Sequence, residues 1–325
     1  MYDVITFGSA TRDIFLRTKN LNVREGETIT GKEICLPFDS KIEVEGFFVR
    51  SGGGGTNAAT TFRNQGFKVA YCGMVGKDET GEAIIKELKS RGIDVSLVRQ
   101  TEERQTNRSV IINASAWIRT NLVYRGASEL IKKSDIPFNK IKAKWFYLAP
   151  FPGKNPKLFI DLIDLAVRQK IKIALNPGMA QLSLPPKTLF GILKKTDILI
   201  LNQEEASFLT KIPYSKEKEI FREIDQICPG IVIMTKGEEG VTVSDGKYLY
   251  RAPSLKISNP LDPTGAGDAF GSGFVAGFMK TGSINYAIQL AMANSGLCLR
   301  EWGAKEGLLK SGERFPKVKV IRKKL

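Results

Sequence analysis

The run Asp262-Pro263-Thr264-Gly265-Ala266-Gly267-Asp268-Ala269-Phe270 leads straight into GSGFVAGFM, a run of small residues that suits a tightly packed helix. Gly265 and Gly267 allow a tight turn at a helix N-terminus, where unpaired N–H groups and the helix dipole attract an anion such as phosphate. Asp268, in the first helical turn, would aim a carboxylate into the same cradle, within reach of whatever attacks that phosphate. The plainer reading is that Asp268 complements the helix dipole and the glycines only cap the turn. About 200 residues earlier in the chain stands Ser51-Gly52-Gly53-Gly54-Gly55-Thr56-Asn57-Ala58-Ala59. Four consecutive glycines carry an entropic penalty, so they imply positive φ angles or the close approach of a ligand. Asn57, in a helix expected to begin near Thr56, would hydrogen-bond substrate hydroxyls; a flexible turn is the alternative. Neither stretch is a GxxxxGK[ST] phosphate loop or a GxGxxG dinucleotide fingerprint.

The 325 residues contain no histidine. That excludes a Ser-His-Asp triad, an HExxH zinc site, Cys2His2 fingers and phosphohistidine transfer, and leaves acid/base work to Asp, Glu, Lys, Tyr or Cys. Cys35, Cys72, Cys228 and Cys298 are far apart with no CxxC pair and read as reduced core thiols. The net charge of +15 invites a nucleic-acid reading, but its distribution speaks against one. Eight Lys/Arg against two Glu between residues 305 and 325 supply +6 as a solvated basic tail, and the rest is scattered over helix faces.

Positioning these motifs requires a scaffold, and the chain spells one out. Apolar runs at 4–8, 69–76, 145–150, 171–177, 198–202 and 231–237 lack polar alternation, as strands buried on both faces do. Segments 79–92 and 155–170 between them repeat apolar residues every three or four positions, as covering helices do. The expected fold is α/β, a doubly wound, mainly parallel sheet flanked by helices, in one domain over residues 1–325. Residues 12–50 and 106–126 break that rhythm and are expected to pair into a small β-sheet lid over the carboxyl ends of the parallel strands. Its apolar residues Ile42, Val44, Phe47, Phe48 and Val49 would be covered by a homodimer partner or by the active site itself. No apolar stretch reaches membrane-spanning length, and MYDVITFGSATRD reads as a first strand without the basic start of a secretory signal, so a cytoplasmic location is expected.

The two glycine motifs, in this order and at this separation, resemble the ribokinase (PfkB carbohydrate kinase) family over nearly the whole chain. GSATRD (8–13), GMVGKDETG (73–81), ILNQEEASFLT (200–210) and MTKGEEGVTV (234–243) add to the resemblance. It implies a kinase that uses ATP and Mg2+ and transfers phosphate to a hydroxyl of a small-molecule sugar or nucleoside. Asp268 would be the general base, and the backbone of Gly265, Ala266 and Gly267 the anion hole. Asp13, Gly53, Gly54, Gly55 and Asn57 would grip the acceptor's hydroxyls. Asn202 and Glu205 match an Asn-x-x-Glu near the phosphates, with Glu205 organising magnesium through water. Thr235, Lys236, Gly237, Gly240 and Asn294 would border the nucleotide. Asp262 and Thr264 match positions that hold K+ in several members.

One departure concerns the acceptor: where ribose-specific members carry an acidic residue, this chain has Ala149-Pro150-Phe151-Pro152, which points away from ribose. Phe151, Trp117 or Tyr124 would stack on a nucleobase if the acceptor were a nucleoside, and Arg119 and Arg125 would meet an acidic or phosphorylated sugar. A nucleoside kinase is therefore the nearest alternative, and a non-catalytic metabolite sensor the alternative from another class.

Overall fold

The computed structural model describes residues 1–19, 21–26, 31–114, 118–150 and 156–325. Among these, ten strands form the main sheet. Its parallel part runs, in spatial order, Val98–Thr101, Val69–Gly76, Tyr2–Phe7, Ala143–Leu148, Lys172–Leu175, Ile198–Asn202 and Ile231–Thr235. Three antiparallel strands, Val241–Ser244, Tyr248–Ala252 and Ile321–Lys324, extend it past Ile231–Thr235. Every residue of Val69–Gly76 is buried, the outcome expected of an unbroken apolar run covered on both sides.

Alternate residues feed two cores, as the period of two requires. Ile5, Phe7 and Phe146 pack beneath the helices Pro156–Arg168, Pro186–Leu193 and Glu217–Ile227. Val4, Tyr71 and Tyr147 pack with Phe62 of helix Gly54–Asn64 and with Phe270 and Phe274 of helix Ala266–Thr281. The helix Ala266–Thr281 lies along Ile284–Cys298 with glycines at the contact, where a Cβ at Gly277 would come 2.8 Å from Ala287 Cα.

The lid is a four-stranded sheet in the order Gly46–Gly52, Thr11–Arg17, Asn107–Asn113, Arg119–Tyr124, which joins the two irregular segments. Ile42 and Val44, expected in its strands, precede the first of them. A separate hairpin pairs Asn22–Glu25 with Lys32–Cys35. The lid sits where the parallel strands end, because only three residues separate Phe7 from Thr11 and Gly52 leads directly into the helix at Gly54.

The basic C-terminal segment is not a free tail. Lys305, Leu308 and Leu309 are buried, Gln65 Nε2 donates to the Leu309 carbonyl at 2.7 Å, and Gln289 exchanges two hydrogen bonds with the backbone of Val318. The segment then closes the sheet edge as the strand Ile321–Lys324. Among the described residues no helix is long and apolar enough to cross a membrane. The four cysteines are free, and burial pushes the thiols of Cys72, Cys228 and Cys298 up to about 12, as befits inert core residues.

Candidate active site

The fold brings together the two glycine motifs, which are far apart in sequence. Gly53 holds φ at +98°, a left-handed conformation that side chains disfavour, and any Cβ there would come 2.5 Å from the Ser9 carbonyl oxygen. From that turn the helix Gly54–Asn64 starts two residues earlier than expected and delivers Asn57, whose Nδ2 donates to Asp268 Oδ2 at 2.8 Å. A Cβ at Gly54 would lie 3.5 Å from Asp268 Oδ1. Asp13 approaches the same place from the lid, its Oδ2 lying against Gly52 where a Cβ would collide. Asp13, Asn57 and Asp268 thus form one wall, with the glycines making the room.

That wall is strongly acidic. Burial pushes the Asp13 carboxyl up to about 6; Ser109 and Lys305 oppose the shift, while Asp262 and Asp268 add to it. Burial also raises Asp268, against the hydrogen bond from Asn57. Lys305 compensates from behind. It is 3% exposed, its Nζ donates to Ser51 Oγ at 2.6 Å, and burial lowers it to about 8 despite the nearby carboxylates of Glu87 and Asp13. This buried lysine was expected in a solvated tail, and nothing in the local pattern of charges distinguishes it from the exposed lysines that follow.

On the other side of the Gly265 turn lies a cavity of about 750 Å3. Thr235, Gly237 and Gly240 line it, as expected, together with Ala266 and Gly267 at the start of the helix Ala266–Thr281. A Cβ at Gly267 would project into open space, so packing does not require glycine there. Gly265, at φ +80°, is held against Ala304, and the Ala266 N–H already reaches the Pro263 carbonyl at 3.2 Å, so Gly267 offers the anion hole its freest approach. Two expected nucleotide contacts do not reach this cavity. Lys236 turns to Glu217, with Nζ 2.9 Å from Oε2. Asn294 is fully buried; its amide is committed to Ala269, Thr61 and Leu309, while its helix neighbours Met292, Ser295 and Gly296 line the cavity instead.

Asn202 and Glu205 cap the helix Gln203–Thr210 reciprocally, each side chain accepting the other's backbone N–H at 2.8 Å. Glu205 makes no ion pair among the described residues, and burial raises its carboxyl. A half-buried, uncompensated carboxylate fits a hydrated divalent cation. Asp262 and Thr264 fit an inorganic monovalent ion poorly. The buried Asp262 Oδ1 already takes hydrogen bonds from Thr264 and from Arg119 of the lid, Arg119 Nη1 lying 3.3 Å away.

The expected aromatic contacts also change. Trp117 and Phe151 lie outside the described residues. Strand register places Tyr124 opposite Arg108, on the lid face away from Asp13, so it does not reach the acceptor wall. On Asp13's own face are Phe15 and Phe48, which meet Trp302 in a T-shaped and a stacked contact at 5.8 and 4.9 Å between centroids. Sequence reasoning also passed over Tyr147, whose buried hydroxyl lies beside Asn176 and feels the charge of Asp268. Its position near the carboxyl end of a parallel strand, where ligands of such sheets bind, was the available signal.

Comparison with known proteins agrees with this geometry. The model of the "pfkB family carbohydrate kinase" matches residues 1–310. A ribokinase of Lactococcus lactis is 28% identical over 99% of this chain and 98% of its own, and a cytidine kinase of Thermococcus kodakarensis is 25% identical over 78% of this chain and 88% of its own. The solved structure of Arabidopsis thaliana ribokinase, complexed with ribose and ATP, superposes with a TM-score of 0.77 at 21% identity, covering 95% of this chain and 96% of that one. With the sheet order, the lid and both glycine motifs in place, the chain belongs to the pfkB family of carbohydrate kinases.

Proposed function

We propose that this protein transfers the γ-phosphoryl group of ATP to an alcohol group of a sugar or sugar-like small molecule, with Asp268 as general base. The observation that carries the reading is the Asn57–Asp268 hydrogen bond. It holds a carboxylate in the wall with Asp13, one residue from Gly267, which lines a cavity whose volume falls within the usual range for small-molecule sites. The acceptor hydroxyl gives its proton to Asp268 as its oxygen bonds to the γ-phosphorus, and the bond to the ADP oxygen breaks. Asn57 orients the base, Asp13 anchors neighbouring hydroxyls, and the Gly267 N–H faces the developing charge.

Magnesium, held through water by Glu205, would neutralise phosphate charge. The lid excludes water, which would otherwise compete as acceptor. A nucleoside acceptor is the second reading. Phe48 and Trp302 support it, because their stacked rings lie over the buried Phe15 on the lid face that carries Asp13.

The test is ATP consumption against a panel of pentoses, hexoses, sugar acids, sugar phosphates and nucleosides in the presence of magnesium. One strong acceptor establishes the chemistry and names its class. Silence across the panel, with ligands still raising the melting temperature, would favour a metabolite sensor instead.

A further inference from the structure

Asp262 is wholly buried, and among the described residues its only ion-pair partner is Arg119. Its Oδ1 accepts the Thr264 N–H at 3.1 Å, the Thr264 hydroxyl at 2.8 Å and Arg119 Nη1 at 3.3 Å, and its Oδ2 accepts the Gly303 N–H at 3.3 Å. Arg119 also donates to the Thr264 hydroxyl. A buried carboxylate requires a counter-charge, and here the guanidinium of Arg119 supplies it.

We propose that Arg119 takes the place of an inorganic monovalent cation at this site, so that the lid rather than a bound ion fixes the turn that aims Asp268. Two observations support the assignment. Both Asp262 carboxylate oxygens and the Thr264 hydroxyl are already engaged, and a second cation beside the guanidinium would be repelled. Arg119 is also the first residue of a lid strand and lies on the same face of the lid as Asp13, by the pairings of Asn113 with Arg119 and of Asp13 with Ser109. If the lid lifted, Asp262 would lose its only cation among the described residues, and the loop that ends at Gly265 an anchor six residues before Asp268.

The test compares potassium with tetramethylammonium at fixed ionic strength, reading melting temperature without substrates and turnover with the best acceptor. The turnover arm rests on the kinase reading above; the melting arm does not, so a failure of either idea can be told apart. For the unaltered protein both readouts are expected to be indifferent to potassium, within about twofold in kcat. Arg119→Gln, which keeps hydrogen-bond donors but not the charge, is expected to lose about tenfold in kcat in tetramethylammonium and to recover part of it with potassium. Its melting temperature should rise with potassium. Arg119→Lys, which keeps the charge, should remain indifferent.

Strong potassium activation of the unaltered protein overturns the proposal. So does an Arg119→Gln variant that ignores potassium in both readouts. Should Arg119→Gln fail to fold in tetramethylammonium, its folded yield with potassium becomes the readout, and no gain there counts against the proposal.

Discussion

Asp268 combines two conditions that a general base needs. Burial raises its carboxyl, and Asn57 fixes one oxygen while the other lies near Gly54. Asp268→Asn is therefore expected to lower kcat by about 10²–10⁴-fold while leaving nucleotide affinity, measured by calorimetry, within about threefold. Near-normal turnover would remove Asp268 from the mechanism. Asp13 and Lys305 are expected to contribute to the pH profile. With Asp13 near 6 and Lys305 near 8, kcat/KM for the acceptor should rise as pH passes about 6 and fall above about 8. Asp13→Asn should shift the acid limb and leave the part that protonation of Asp268 contributes. The stability consequence has the opposite sense: the folded value of Asp13 lies above its ordinary 3.8, so the folded state takes up a proton between the two and loses stability as pH rises through that interval. Asp268 and Asn57 were legible in the sequence because each sits in a motif with its own backbone requirement. Lys305 was not, because a buried lysine among basic neighbours differs from them only by contacts with Ser51 and Glu87, both more than 200 residues distant.

At the scale of elements, the two glycine motifs work through different physics, and substitution by alanine separates them. Gly53 is a left-handed turn pressed on Ser9, so Gly53→Ala should destabilise the fold by about 1–3 kcal/mol, visible as a lowered melting temperature. Gly267 is helical and faces open cavity, so Gly267→Ala should fold at least as stably, gaining up to about 1 kcal/mol of helix propensity. It should nevertheless weaken nucleotide binding, because the new methyl group enters the space an anion would occupy. A Gly267→Ala variant that binds nucleotide normally would show that phosphate does not approach that N–H. The parallel strands and the two-part lid were readable from apolar runs and from the absence of helical periodicity. Asn202 and Glu205 show where that reading stopped: one spacing serves both a reciprocal helix cap and a ligand-facing acid, and only the hydrogen bonds reveal the cap.

At the scale of the molecule, the wall of Asp13, Asn57 and Asp268 is closed by chain segments from three regions: the lid strands, the Gly52–Asn57 turn and the loop after helix Ile284–Cys298. Trp302 joins the last to the first through Phe15 and Phe48, and Ala304 props Gly265. Trp302→Ala should therefore raise acceptor KM about tenfold with nucleotide affinity unchanged, since the nucleotide cavity shares none of these contacts. The chain beyond Pro316 has a different task. Val318 and Val320 pack on the core, and Ile321–Lys324 pairs with Tyr248–Ala252, where Arg322 lies 3.5 Å over the Tyr248 ring. Its positive charges thus decorate an edge strand, a placement that discourages further strands from adding to the sheet. Removing residues 317–325 should lower the melting temperature by roughly 5 °C or more, at about 2–4 °C per kcal/mol for a chain of this order. The Asn57–Asp268 contact joins the helices Gly54–Asn64 and Ala266–Thr281 and does not involve that edge strand, so kcat at a temperature well below the transition should stay within about twofold. A deletion that melts like the full chain would return this segment to the role of a solvated tail, and one that loses kcat while still folded would tie the sheet edge to the site.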